Sequence, residues 1–167
     1  GIEATIEGKH TLLYNITKEE MTRIKTHDDL YALKDHVGIG APHPFFKLPI
    51  CLGKKVFEHR SLFDFVEHSH FYTKYINFNE KAVLAAKQLN VPVVANSDVH
   101  FLSMFGKDFT MIDAEKNTDA VLDALKKKAV GKNKKRIQPQ TKPYKFLEFI
   151  KNGIQFAPTG TYRIMTG

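Results

Sequence analysis

A short run of apolar residues, Val93-Val94-Ala95, passes directly into Asn96-Ser97-Asp98-Val99-His100. A continuous apolar run of this length reads as a strand buried on both faces of a parallel sheet, so the chain must also supply helices to cover those faces. Polar groups just past the C-terminal end of such a strand lie where α/β proteins build their sites. A second run, Val37-Gly38-Ile39-Gly40-Ala41, ends in Pro42-His43-Pro44, an imidazole held between two residues that restrict the backbone. Two strand ends thus deliver two histidines and one carboxylate.

The rest of the chain alternates strand-like and helix-like stretches, with no internal repeat, which argues for the α/β class. Strands are expected over 11–16, 63–66, 91–95 and 109–112. Residues 17–33 have loosely helical spacing, and 45–60 reads as a loop followed by an irregular segment. Asn77 with Glu80 three residues later suggests a capping box before an amphipathic helix carrying Ala82, Val83, Ala85, Ala86 and Leu89. A helix over about 118–129 has Asp119 and Asp123 early and Lys126, Lys127 and Lys128 late, an order that suits the helix dipole, and Gly131 can end it. A basic linker runs to Pro143, and 144–151 resembles one last helix closed by Asn152-Gly153. The expected organisation is one domain over 1–131 and a basic linker with a C-terminal appendage over 132–167.

A composition of 43% hydrophobic and 26% charged residues belongs to a folded globular chain rather than a disordered one. No apolar run approaches the roughly 18 residues that span a bilayer, and no signal-like N-terminus is present, so no membrane partner is expected. Cys51, the single cysteine, excludes an intrachain disulfide and zinc-thiolate clusters; with the missing signal it suggests a cytoplasmic location. The chain opens at Gly1-Ile2-Glu3, read as the end of a strand, and so looks like a piece of a longer protein. The net charge of +7 is concentrated: Lys126, Lys127, Lys128, Lys132, Lys134, Lys135, Arg136, Lys142 and Lys145 are nine bases with no acid among them. Such a run can attract phosphate backbones, although charge-rich helix ends and loops are usually only solvated.

Glu3, His10, His43, Asp98 and His100 form a set of imidazoles and carboxylates suited to borderline divalent ions. A carboxylate can bridge two such ions, and two ions sharing one acidified water also bind the oxygens of a phosphoryl group under in-line attack. Phosphoester hydrolysis is the natural chemistry of the set. Each member also has a plain alternative as a hydrogen-bonded histidine, turn or cap. Asp98 and His100 gain from their spacing, since in extended backbone residues two apart point to the same side.

Four motifs carry a resemblance: Gly1-Ile2-Glu3, Lys9-His10-Thr11-Leu12-Leu13, Ala41-Pro42-His43-Pro44 and Asn96-Ser97-Asp98-Val99-His100. In order and spacing they resemble the glycine-x-glutamate, histidine-leucine-leucine, histidine-proline and serine-aspartate-x-histidine motifs of the PHP domain, the polymerase and histidinol phosphatase superfamily. The resemblance extends from Gly1 to about Gly131 and covers the C-terminal two thirds of such a domain. It implies a distorted seven-stranded β/α barrel, here partial, with two or three divalent metal ions (zinc, manganese or iron, with magnesium as a further option). It implies a phosphoesterase in which Glu3 bridges ions that His10, His43, Asp98 and His100 ligate, and a metal-bound hydroxide attacks phosphorus. The substrate would be a phosphorylated small molecule or nucleotide. The family's first motif, histidine-x-histidine, would precede Glu3 and is not in this sequence, so the segment alone is expected to bind metal poorly and hydrolyse little.

The rival expectation is a nucleic-acid-binding or polymerase-associated module with a structural or decayed metal site, in which the stretch from Lys126 to Lys145 contacts phosphates. A third is an inactive α/β scaffold. Glu67 falls where the family often has a glutamate near the site, which suggests a supporting role. His27, His36, His59, His68 and His70 read as ordinary polar histidines, and Cys51 as an inert thiol with no evident histidine partner.

Overall fold

The computed structural model describes residues 1–100, 102–127 and 137–144. β1 (Ile2–Ile6) and β2 (Lys9–Tyr14) form a hairpin closed by two residues, Glu7 and Gly8, with φ of 48° and 73°. Positive φ at both positions is the type I′ turn, whose twist matches that of the strands it joins. Glu3 therefore does not end its strand, which runs on to Ile6 before the Glu7-Gly8 turn.

β3 (Gly38–Ala41) lies antiparallel to β2, with Leu12 opposite Gly40. β4 (Phe65–His68) and β5 (Val93–Ala95) continue the sheet in parallel, giving the order β1-β2-β3-β4-β5. The fold is mixed α/β around an open five-stranded sheet, and no closed barrel forms among the described residues. The C-terminal ends of β3, β4 and β5 lie side by side, which brings residues 42–43, 67–70 and 96–98 to one end of the sheet.

One face of the sheet buries Ala4, Ile6, Leu13, Ile39, Ala41 and Val66 against Leu30, Val56, Leu62, Ala82, Ala85 and Ala86. These come from α3 (Asn79–Leu89), α2 (Lys55–Glu58), a 3-10 turn over Asp28–Leu33 and the loops between them. The helix expected over 17–33 is divided. α1 (Lys18–Arg23) starts at a capping box formed by Thr17 and Glu20, and stops where Asp29 accepts hydrogen bonds from the Lys25 and Thr26 amides. The box expected at Asn77 and Glu80 does not form. Asn77 instead accepts from the Asn79 amide, and Asn79 exchanges two side-chain bonds with the Ser69 backbone, which anchor the start of α3 to the end of β4.

The opposite face carries Phe65 and Val94, packed with Leu12, Tyr14, Leu125 and Ile137. Gly40 leaves the space that the Phe65 ring fills, and Gly38 does the same for Leu122. Leu122 and Leu125 belong to α4 (Thr118–Lys126), which is shorter than expected; Ile137 belongs to β7 (Ile137–Gln140), which pairs antiparallel with β6 (Phe109–Ile112). β7 falls within the stretch read as linker. Its pattern was hidden because Gln138, Pro139 and Gln140 are all exposed, leaving Ile137 as the one apolar signal. No described helix is long and apolar enough to cross a membrane. Gly131, the helix expected over 144–151 beyond Tyr144, Asn152-Gly153 and the bases Lys128, Lys132, Lys134, Lys135, Arg136 and Lys145 lie outside the described residues, as does the expected boundary at 131–132.

Candidate metal centre

Glu3, on β1, and His10, on β2, share one face of the hairpin, and His43 follows the end of β3. Glu3 Oε1 lies 3.3 Å from His10 Nδ1 and 3.2 Å from His43 Nε2, and the two rings meet edge to face at 5.5 Å between centroids. One ligand atom from each residue falls within 4.8 Å of the others, close enough to hold a metal ion. His10 is buried, and its Nδ1 makes no hydrogen bond despite the carboxylate beside it. A buried imidazole nitrogen left without a hydrogen bond is costly in a closed protein and is what a metal ligand looks like before it is loaded. The donor set fits a borderline divalent ion.

The loop after β3 is held in place by backbone hydrogen bonds. The His10 amide donates to the Ile50 carbonyl at 2.8 Å and the Gly53 amide to the Pro44 carbonyl at 2.8 Å. Folding the loop back in this way sets Cys51 Sγ 3.4 Å from His43 Nδ1. Cys51 therefore does have a histidine partner, which sequence could not reveal because the loop's return creates it. His43 adopts φ of 27° immediately before Pro44, where the backbone normally stays extended, and its amide donates to Glu67 Oε2 at 2.7 Å. A strained residue pinned on three sides marks a position fixed by function rather than by propensity.

Asp98 and His100 form a second pair, Oδ1 to Nε2 at 3.4 Å. They meet through a turn, not through extended backbone: Asp98 has φ of 39°, and its amide donates to Asn96 Oδ1. The turn is anchored from outside, since Ser97 Oγ donates to the Asp108 carbonyl at 2.7 Å, and the Thr110 hydroxyl serves both the Ala95 amide and its carbonyl. Asp98 and His100 do not enter the three-residue group around Glu3.

The two pairs of features nevertheless share one electrostatic field. Glu67 is fully buried between them; burial, with Asp98 and Glu3 nearby, pushes its carboxyl up to about 8, even though His43 favours its charge. Burial opposes charge on Glu3, but the His10 and His43 imidazoles beside it bring its pKa down to about 2. Burial likewise opposes charge on His43, and Cys51, Glu3 and Glu67 together raise its pKa. His70 is buried, which lowers its pKa, and it faces Asp98, His100 and His43. Glu67, which accepts from the His43 amide, thus supports the site, and His70 lies within its electrostatic field. His70 had no motif to mark it, but its position after the C-terminal end of a parallel strand was a usable signal.

An open groove of about 560 Å³, lined by Tyr14, Phe65, Val94, Asn96, Leu122 and Leu125 among others, runs between the sheet and α4 beside this cluster. Of the basic residues between Lys126 and Lys145, Lys126 donates to the Lys34 and Asp35 carbonyls and Lys127 to Asp123.

No protein of curated function matches the chain. A family model described as PHP-associated matches residues 77–130, the segment that holds α3, β5, the Asp98–His100 turn, β6 and α4. The match covers the Asp98–His100 turn independently of the motifs around Glu3 and His43, and is consistent with a relation to PHP-domain proteins.

Proposed function

We propose that this chain forms the metal-binding part of a metal-dependent phosphoesterase of PHP type, its open sheet being an arc of the distorted barrel. The observation that carries the reading is the convergence of Glu3, His10 and His43 around a buried imidazole nitrogen that lacks a hydrogen bond. Glu3, His10 and His43 would hold one ion, and Asp98 with His100 a second. Imidazole-rich ligation favours zinc, manganese or iron over magnesium. Divalent ions there supply Lewis acidity, which acidifies a water and takes up charge on phosphoryl oxygens.

The chain's own residues do the positioning. Glu67 fixes the His43 backbone, Cys51 orients the His43 ring, and Ser97 and Asn96 hold the turn that presents Asp98. The substrate is a phosphorylated small molecule or nucleotide. The reading that makes the chain a nucleic-acid-binding module gains nothing from Lys126 and Lys127, whose amines are engaged within the protein.

A polypeptide that includes an upstream histidine-x-histidine motif, purified without chelator, is expected to carry zinc, manganese or iron, and Glu3→Gln or His43→Ala to weaken its metal binding at least tenfold. The same polypeptide should release p-nitrophenol from p-nitrophenyl phosphate or its diester. A metal-free form of it that takes up none of these ions on titration would overturn the proposal.

A further inference from the structure

A second cluster of metal-ligating side chains lies across the sheet from the first. Neighbours on a strand face opposite sides, so Thr11, next to His10 in β2, points away from the site above. Its hydroxyl meets His27 Nε2 at 3.3 Å. His27 is completely buried, and its Nδ1 lies 2.6 Å from Glu7 Oε2, which also accepts from the His27 amide at 3.2 Å. The His59 ring stacks on His27 at 5.2 Å between centroids, and His59 Nδ1 is 3.7 Å from Asp28 Oδ1. One ligand atom each from Glu7, His27 and His59 falls within 4.8 Å of the others. Lys55 Nζ approaches the same Glu7 oxygen at 3.4 Å.

We infer that Glu7, His27 and His59 form a second metal site, for a single borderline divalent ion such as zinc, with Asp28 available as a fourth donor. Two imidazoles and a carboxylate are a zinc-type donor set, and the three residues come from separate segments that the fold must bring together. Glu7 sits in the β1–β2 turn at φ of 48°, a position that ordinarily takes asparagine, aspartate or glycine, so the carboxylate is placed there against backbone preference. His59 follows the end of α2 and His27 opens the 3-10 turn. An ion at this point would therefore tie the hairpin to both elements. It would compete with the Lys55 ammonium for Glu7, which gives the site a signature that a simple hydrogen-bonded strut lacks.

The test uses zinc and a His43→Ala, Asp98→Asn background, which disables both the first cluster and the Asp98–His100 pair. One zinc equivalent should remain, with a rise in the thermal midpoint on zinc addition. His27→Ala risks misfolding because the ring is buried, so Glu7→Gln and His59→Ala are the probes; each should weaken the remaining zinc at least tenfold and abolish the thermal shift. Lys55→Met should tighten binding severalfold, an outcome that misfolding cannot produce. If zinc affinity in that background is unchanged by Glu7→Gln, His59→Ala and Lys55→Met, the cluster is only a hydrogen-bonded support and the inference fails. The first cluster's function is untouched by either result.

Discussion

Gly40 sits where a Cβ would run into the Phe65 ring, which is completely buried against the sheet. Gly40→Ala should cost about 1–3 kcal/mol in a urea titration, the range for overpacking a closed core. A mutant as stable as the parent would mean that Phe65 has somewhere else to go. At this scale the meeting of Glu3, His10 and His43 was legible because imidazole and carboxylate at strand boundaries are chemically conspicuous. Cys51 and His70 were not, since their relation to His43 and Asp98 is made by a loop that folds back and by the adjacency of two strand ends. Asp98 and His100 were paired for the wrong geometrical reason: the turn at Asp98, not strand alternation, brings them together.

The elements are held by bonds that can be removed singly. Asp64 is buried, accepts from Lys34 Nζ at 2.9 Å and from the Ile39 amide at 2.9 Å, and so joins the 3-10 turn to β3. Asp64→Ala would leave a buried amide unsatisfied and Lys34 with only the Leu62 carbonyl, and should lower stability by about 2–4 kcal/mol in denaturant titration. Thr17→Ala removes the α1 cap and should cost about 1 kcal/mol. Glu20 is held below its ordinary 4.5, first by the Thr17 amide, then by His36 and the Thr17 hydroxyl. The folded chain therefore binds that proton less readily than the unfolded one. The contribution is complete above about pH 4.5 and is lost as the pH falls. Glu20→Gln should flatten the decline of thermal midpoint below that pH, and an unchanged profile would remove Glu20 from acid unfolding. Alternating strands and helices could be read from pattern alone, and β3, β5, β6 and α4 followed. The divided helix over 17–33 was missed because Asp29, not an apolar period, decides where α1 stops.

Across the whole molecule, acidic groups crowd the Glu3–His43 end of the sheet while the net charge remains +7. Glu67 shares its surroundings with Asp98 and Glu3, so a bound cation should relieve their repulsion and favour the folded state. Adding zinc or manganese should raise the thermal midpoint, with chelator reversing the gain; His43→Ala should reduce the part of the shift that belongs to the first cluster. The α/β class was legible at this scale from the alternation of buried strands and helices. The antiparallel hairpin and the β6–β7 pair were not, because hairpin geometry here depends on a Glu-Gly turn and on a strand with little apolar content.

The adjacency of His10 and Thr11 gives the Glu7-Gly8 turn an unexpected responsibility. Side chains alternate with a period of two, so a slip of β2 by a single residue would carry the His10 imidazole through the sheet and put Thr11 in its place. A tight two-residue connection with both φ values positive admits only one alignment of its strands. The turn thus acts as an index pin, keeping two different chemistries from trading sides.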